Sequence, residues 1–550
     1  MTWGGRSQRA GTAVLALLAT TQFLMTVDST VMNVSISALV EDLDTTVSAI
    51  QGVITAYTLV MAAAMITGAK IGDILGRRRA LRVGLIVYAC GSAVTAISPN
   101  VGVLLFGWSL LEGLGAAMIM PTVVALVAGN FEGRRRAVAY GVLAAAAAVA
   151  VAAGPIIGGF VTAYFSWRWV FAAEVLIAAG ILLGSKVVQD APAEHRPRLD
   201  MVGALLSAAG LGMLVFGVLQ SGTWGWIKPR VADGTDATPQ LAGISMVIWL
   251  VLGGLLILWV FLEWLRRRVA AGREPLVDPS LFGNHQLTHG LVVLLMQYLV
   301  MMGMFFSMPL FLSLVLGLDA FETGIRMLPL SLALIVTAPS VAKLLPHAGP
   351  RGVVQVGLGL MLGATILLAA RLDQGAGAEI TTVPFILMGI GMGALASQLG
   401  NVVVSAVPVA RGGEAGGLQY TAQNLGSSLG TALVGAVVIA SLSSLFLQDV
   451  QSSDVLGPAL KDQAAVEVGS GVEFVSTAQV EEALATTDLT PAEQAEILDG
   501  YERSQLGALS AGMVVLSLFV VLTLFFARRL PADPLIAEQE AVGSAGEGPA

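Results

Sequence analysis

Long apolar runs with almost no charge constrain this chain more than any other feature. Several windows exceed 18 consecutive residues without a charged side chain. A helix of ~20 such residues crosses the ~30 Å hydrocarbon layer of a bilayer. Backbone amides in lipid must bond within their own segment, so the runs are read as helices rather than open strands. Only 12% of the 550 residues are charged and 56% are hydrophobic. A water-facing surface is usually built from about twice that charge density, which excludes a large soluble core. The runs divide into fourteen spans, near residues 13–36, 48–68, 81–98, 101–128, 138–163, 168–186, 200–220, 243–264, 288–315, 324–345, 352–370, 381–406, 415–446 and 505–527. The first follows Arg6 and Arg9 as a signal peptide would, but it is too long and is read as an uncleaved helix.

Charge distribution tests that count. Basic residues concentrate in loops on the cytoplasmic side of a membrane. With the N-terminus inside, all but seven of the 29 Lys and Arg fall in cytoplasmic segments; the seven are Arg168, Lys228, Arg230, Arg326, Arg371, Lys461 and Arg503. One span more or fewer would scramble the alternation. Both termini are therefore expected in the cytoplasm. The net charge of -8 reflects an acidic stretch, 450–502, and no basic excess points to nucleic acid. The single cysteine, Cys90, excludes an intramolecular disulfide. Loop 447–503 reads as an extracellular cap with a helical piece over 477–499, for which Thr490-Pro491-Ala492-Glu493 is a favourable helix start.

Three motifs carry mechanism. The second span runs into Ala69-Lys70-Ile71-Gly72-Asp73-Ile74-Leu75-Gly76-Arg77-Arg78-Arg79-Ala80-Leu81. Gly76 suits a tight turn between helix ends, and Asp73 suits the positive N-terminus of a neighbouring helix. Arg77 and Arg78 can meet acids or carbonyls, with Glu132 in the next basic loop a candidate partner for Arg77. The fifth span holds Gly154-Pro155-Ile156-Ile157-Gly158-Gly159, followed by Ser166-Trp167-Arg168-Trp169-Val170-Phe171. Its proline bends a helix and its glycines allow close helix approach. The first span holds Val27-Asp28-Ser29-Thr30-Val31-Met32-Asn33-Val34. An intramembrane carboxylate such as Asp28 is costly and usually functional.

The first motif resembles the signature loop of the major facilitator superfamily, with Ala69 in place of its first glycine. The second and third resemble segments of the fourteen-helix drug:proton antiporters of that superfamily. The likeness covers nearly the whole chain. It implies an all-α membrane protein with two six-helix bundles around a central cavity and two extra helices between them. The corresponding division is 1–190, 191–275 and 276–530, with a disordered tail at 531–550. It implies that the Asp73 loop latches the halves together when the transporter faces outward. It also implies proton-coupled efflux of small lipophilic or cationic compounds by alternating access across a bacterial cytoplasmic membrane. The expected partners are such a substrate, protons and membrane lipids, with the protein a monomer.

Two departures bear on coupling. Ser109-Leu110-Leu111-Glu112-Gly113 stands where the relatives often carry R-x-x-Q-G, so an arginine is lost and an acid gained. Glu174 stands where they usually carry Asn. Asp28, Glu112 and Glu174 are thus the candidates for binding the proton or cation. Asn33, Gln297, Tyr298, Phe305, Gln419, Gln423 and Asn424 are candidates for lining the substrate cavity. The four histidines form no metal-ligand cluster in sequence, and neither a metal nor a cofactor is expected. No G-x-x-x-x-G-K-[ST] loop is present, so an ion gradient is the expected energy source. An exporter of a lipid, siderophore or self-made metabolite stays open as cargo. A membrane enzyme would need a His, Asp or Ser constellation that is not seen, and a sensor has no use for a latch.

Overall fold

The structure, a computed structural model, describes residues 3–533 apart from 33–34, 132, 189–198, 228, 230–237, 346–347, 373–376, 409–410, 463–473 and 488. Fourteen helices are long and apolar enough to cross a membrane. In chain order they are α1 (Trp3–Val31), α2 (Val47–Leu75), α3 (Arg77–Ala96), α4 (Val101–Leu104 continuing through Gly113–Asn130), α5 (Gly133–Tyr164), α6 (Arg168–Gly184), α7 (Met201–Leu219), α8 (Met246–Ala270), α9 (His285–Leu310), α10 (Ala320–Leu344), α11 (Pro350–Arg371), α12 (Thr382–Ser405), α13 (Gly412–Ser452) and α14 (Pro491–Ala527). The count read from the sequence therefore holds.

Two ends differ from their expected places. The first helix stops at Val31 rather than near residue 36. The Ser35 amide bonds to the Met32 carbonyl at 3.1 Å, its hydroxyl meets Thr162 at 2.7 Å, and a short helix, Ile36–Asp42, follows. The helical piece expected over 477–499 is two elements. Thr477–Ala485 is a separate short helix, and the Thr490 start opens α14 itself. There the Thr490 amide donates to Glu493 at 2.9 Å, and the Glu493 amide donates to the Thr490 hydroxyl at 3.3 Å. This reciprocal cap satisfies two helix-end donors at once.

Two cores organise the helices. Around Tyr57, Tyr88, Trp108, Trp167 and Phe171, helices α1–α6 form one bundle. Around Met304, Phe305, Phe306, Met361, Phe385 and Met388, helices α9–α14 form the other. Within the second, α13 lies against α9 with almost no gap. A Cβ on Gly426 or Gly430 would strike the Leu295 or Leu299 carbonyl. Across the halves, α2 packs on α13 and α5 on α10. Helices α7 and α8 form a hairpin that rests on both α2 and α13 through α7. Leu252, Leu255, Leu256 and Trp259 on α8 remain exposed, a face suited to lipid.

Gly430→Val should force α13 away from α9. Overpacking of this kind costs ~1–3 kcal/mol, so folded yield and Tm should both fall. Gly359→Ala, where a Cβ meets nothing within 4 Å, should leave both unchanged in detergent-purified protein.

Candidate functional site

Asp28 on α1, Glu112 on α4 and Glu174 on α6 converge inside the first bundle. Each offers one carboxylate oxygen within 4.8 Å of the other two, and all three side chains are buried. Local structure explains the convergence. Between its two α-helical parts, α4 passes through a π-helical stretch, Leu105–Glu112. The wider turn is common at functional sites, and here it carries both Trp108 and Glu112. The Ser109 hydroxyl donates to the Val53 carbonyl on α2 at 2.7 Å and fixes that stretch.

Each acid is held by one oxygen. The Trp108 indole donates to Asp28 Oδ1 at 2.9 Å. The Tyr88 hydroxyl donates to Glu174 Oε2 at 2.9 Å, with Ser92 at 3.4 Å from the same oxygen. Thr95 donates to Glu112 Oε1 at 3.1 Å. The second oxygens, Asp28 Oδ2, Glu112 Oε2 and Glu174 Oε1, have no protein partner, and neither does the Tyr57 hydroxyl. Tyr57 stacks on Trp108 with ring centroids 5.5 Å apart, and Phe171 meets Trp108 edge-on at 5.8 Å. No described Lys or Arg pairs with any of the three acids. Among the described residues, no other three acids or histidines lie close enough to share an ion.

Sequence reasoning singled out the three acids but missed their holders. Tyr88, Ser92 and Thr95 recur at helical spacing on one face of α3, a polar stripe that could have been found. Tyr57 and Trp108 carry no such signal, because aromatic residues in apolar helices are ordinarily core.

The Asp73 loop forms a second centre where α2 meets α13. Gly76 has φ 89° and turns α2 into α3. A Cβ on Gly413 would lie 3.4 Å from Asp73 Oδ1, so the carboxylate sits at the first turn of α13. Arg77 is 3.9 Å from Asp73 and donates to the Ala125 carbonyl of α4 at 2.8 Å. Arg78 also belongs to this turn, while Glu132 lies outside the described residues. Gly416 and Gly417 of α13 face Val124 and Ala69.

In α5, Gly154, Gly158 and Gly159 are buried, and a Cβ on Gly154 would strike Thr30 of α1. The Pro155 side chain lies outside the described residues. The Trp-Arg pair that follows serves another purpose. Arg168 and the Trp167 indole both bond Asp42, at 2.5 and 3.1 Å, and Arg168 also reaches the Ser98 carbonyl at 2.8 Å. That ion pair accounts for one basic residue on the expected outer side.

The cavity candidates scatter. Asn33 lies outside the described residues. Phe305 packs in the second core and Gln297 is buried on α9 near Tyr298. Gln419 is buried with Oε1 lacking a partner. Gln423 and Asn424 are half-buried one turn on. Beside them, Tyr420 donates to Gln22 of α1 at 2.8 Å, and Ser428 meets Thr58 of α2 at 2.6 Å. These bonds place the α13 candidates along the junction of the two halves.

A model of the Major Facilitator Superfamily matches residues 18–431. The tetracenomycin C resistance and export protein of Streptomyces glaucescens is 28% identical over 466 residues, covering 84% of this chain and 82% of that protein. The multidrug efflux pump LfrA of Mycolicibacterium smegmatis is 26% identical, with 94% and 96% covered. A crystal structure of a human organic anion transporter superposes with a TM-score of 0.57 at 15% identity, covering 94% of this chain and 99% of that one. At that identity the likeness speaks for the fold alone.

Gly91 of α3 closes the acid site from one side. An added Cβ would meet Glu112 Cγ at 2.6 Å and the Gly107 carbonyl at 2.8 Å. Gly91→Ala should therefore displace Glu112 and sharply reduce transport in vesicles, with expression retained. Gly180→Ala on α6, where a Cβ meets nothing within 4 Å, should be silent.

Proposed function

We propose that this chain, which belongs to the major facilitator superfamily, exports small lipophilic compounds of the drug or antibiotic type in exchange for protons. The observation that carries the reading is the buried cluster of Asp28, Glu112 and Glu174 within 4.8 Å of one another. Three bare charges at that spacing would repel by roughly 3.5 kcal/mol per pair at an effective dielectric of 20. The cluster is therefore built to take up protons when sealed and to release them when water reaches it. The unpartnered oxygens and the Tyr57 hydroxyl supply the positions at which a proton is held.

The relatives support the cargo class. They include proteins described as exporters of tetracenomycin C and cephamycin and as multidrug pumps. The basic loops support placing both termini in the cytoplasm of a bacterial inner membrane. In the proposed cycle, substrate enters from the cytoplasm between the halves and the protein turns outward. Protons then load the acids from outside and return inward. One hundred millivolts supplies about 2.3 kcal/mol per proton, and each pH unit adds about 1.4 kcal/mol. Neither nucleotide nor metal is needed for this work. Gln419, Gln423 and Asn424 would offer hydrogen bonds to cargo at the junction, and Gln297, Tyr298 and Phe305 a repackable apolar wall.

Glu112→Gln keeps the shape and removes the exchangeable charge. In proteoliposomes with an imposed pH gradient, the variant should lose gradient-driven accumulation of an exported dye while still binding it. Asp28→Asn should behave alike. Full gradient-driven accumulation by Glu112→Gln would remove the cluster from the coupling mechanism.

A further inference from the structure

The connector between α8 and α9, residues 271–284, is not an ordinary loop. Loops at the ends of membrane helices normally run over the surface. Here Leu276 and Val277 are only 1% and 2% exposed. They belong to a third core cluster that brings together Ile66 of α2, Phe261 and Leu265 of α8, Val403 of α12 and Leu418 of α13. Both halves of the protein and the α7–α8 hairpin thus meet on two side chains of a connector. The two also line the small gap that contains Ala69, Lys70, Asp73 and Glu414, which is where the halves are joined beside the Asp73 turn.

The connector is tied differently to its neighbours. On the α12–α13 side the links are polar and directional. Asp278 pairs with Arg411 at 2.8 Å, and Asn284 donates to the Ala406 carbonyl at 2.7 Å. Partial burial would raise the Asp278 carboxyl, but the Ser280 and Arg411 donors more than offset it and hold it below the usual carboxylate range. On the hairpin side, Arg268 of α8 donates twice to the Glu274 carbonyl, at 2.9 and 3.1 Å, and lies 3.4 Å from Asp200 at the start of α7. Asp200 in turn accepts from the Trp264 indole and caps α7. Toward α2, the core cluster offers only the apolar side chain of Ile66.

We infer that residues 271–284 form a wedge in the gate between α2 and α13, carried by the α12–α13 half and braced by the α7–α8 hairpin. Opening this end requires α2 to leave α13; among the described residues no hydrogen bond or ion pair ties α2 to the connector, so a rigid-body movement parts the two there. Leu276 and Val277 then separate from α2 and stay with α13. The two extra helices thereby acquire a role: through Asp200, Arg268 and Glu274 they set the position of the wedge. The inference depends on alternating access but not on which ion drives it.

The test uses the full chain with Cys90→Ser, so that introduced thiols are the only ones. Ala69→Cys and Val277→Cys line the same gap. Oxidation in membranes should cross-link them and stop export, and dithiothreitol should restore it. Absence of a cross-link, or undiminished export by the cross-linked protein, would overturn the wedge. Independently, Leu276→Ala with Val277→Ala should speed labelling of Ala69→Cys by an impermeant maleimide in inside-out vesicles by roughly tenfold, the effect of a modest shift between two states. An unchanged labelling rate would also overturn it. The cross-link should form equally in the Glu112→Gln background, which separates gating from coupling.

Discussion

Three carboxylates buried together inside a membrane bundle are the constraint on which the rest of the first half depends. An isolated charge at that depth is expensive, and a described basic partner is not supplied. Instead each acid is held at one oxygen by neutral donors: Trp108 for Asp28, Tyr88 and Ser92 for Glu174, and Thr95 for Glu112. Those donors fix position without cancelling charge. The π-helical stretch of α4 and the close approach of Gly91 follow from the need to bring Glu112 to Asp28 and Glu174. A protein that only needed to fold would place leucine at these positions. The arrangement makes sense where the charge of the cluster must change during work.

The second dependence lies between the halves. At the Asp73 turn, helix-terminus electrostatics and small residues join α2 and α4 to α13: Asp73 at the first turn of α13, Gly417 against Ala69 of α2, and Gly416 against Val124 of α4. The connector after α8 adds an apolar filling to this junction. The acid cluster lies inside the first bundle and this gate at its border with the second, and the helices they share, α2 and α4, are the physical route between them. Tyr57 and Val53 of α2 touch the cluster's support through Trp108 and Ser109, while Lys70 and Asp73 lie further along the same helix at the gate.

Much of this was legible in the sequence because membranes impose simple rules. Hydrocarbon thickness sets the helix length, and basic loops set the alternation, so fourteen spans could be read without knowledge of packing. An acid in an apolar helix is conspicuous for the same reason, and Asp28, Glu112 and Glu174 stood out one by one. Their convergence did not, because it depends on the wide turn at Leu105–Glu112, which leaves no mark on hydropathy. Trp108 and Tyr57 were hidden by the apolar character of aromatic rings. Leu276 and Val277 were hidden by sitting between spans, where an apolar pair reads as an ordinary surface loop. The end of α1 was misplaced because apolar residues continue into the Ile36–Asp42 helix, and hydropathy does not register the bend at Ser35.

In the proposed cycle, export of a small lipophilic compound and movement of protons are one process. Its most direct test is proton flux in liposomes containing the purified protein and a pH-sensitive dye, with a small panel of antibiotics and dyes added to one side. An exported compound, added without any imposed gradient, should drive protons in the opposite direction, and Asp28→Asn should abolish the flux. Transport of a compound down its own gradient with no accompanying proton movement would contradict that cycle.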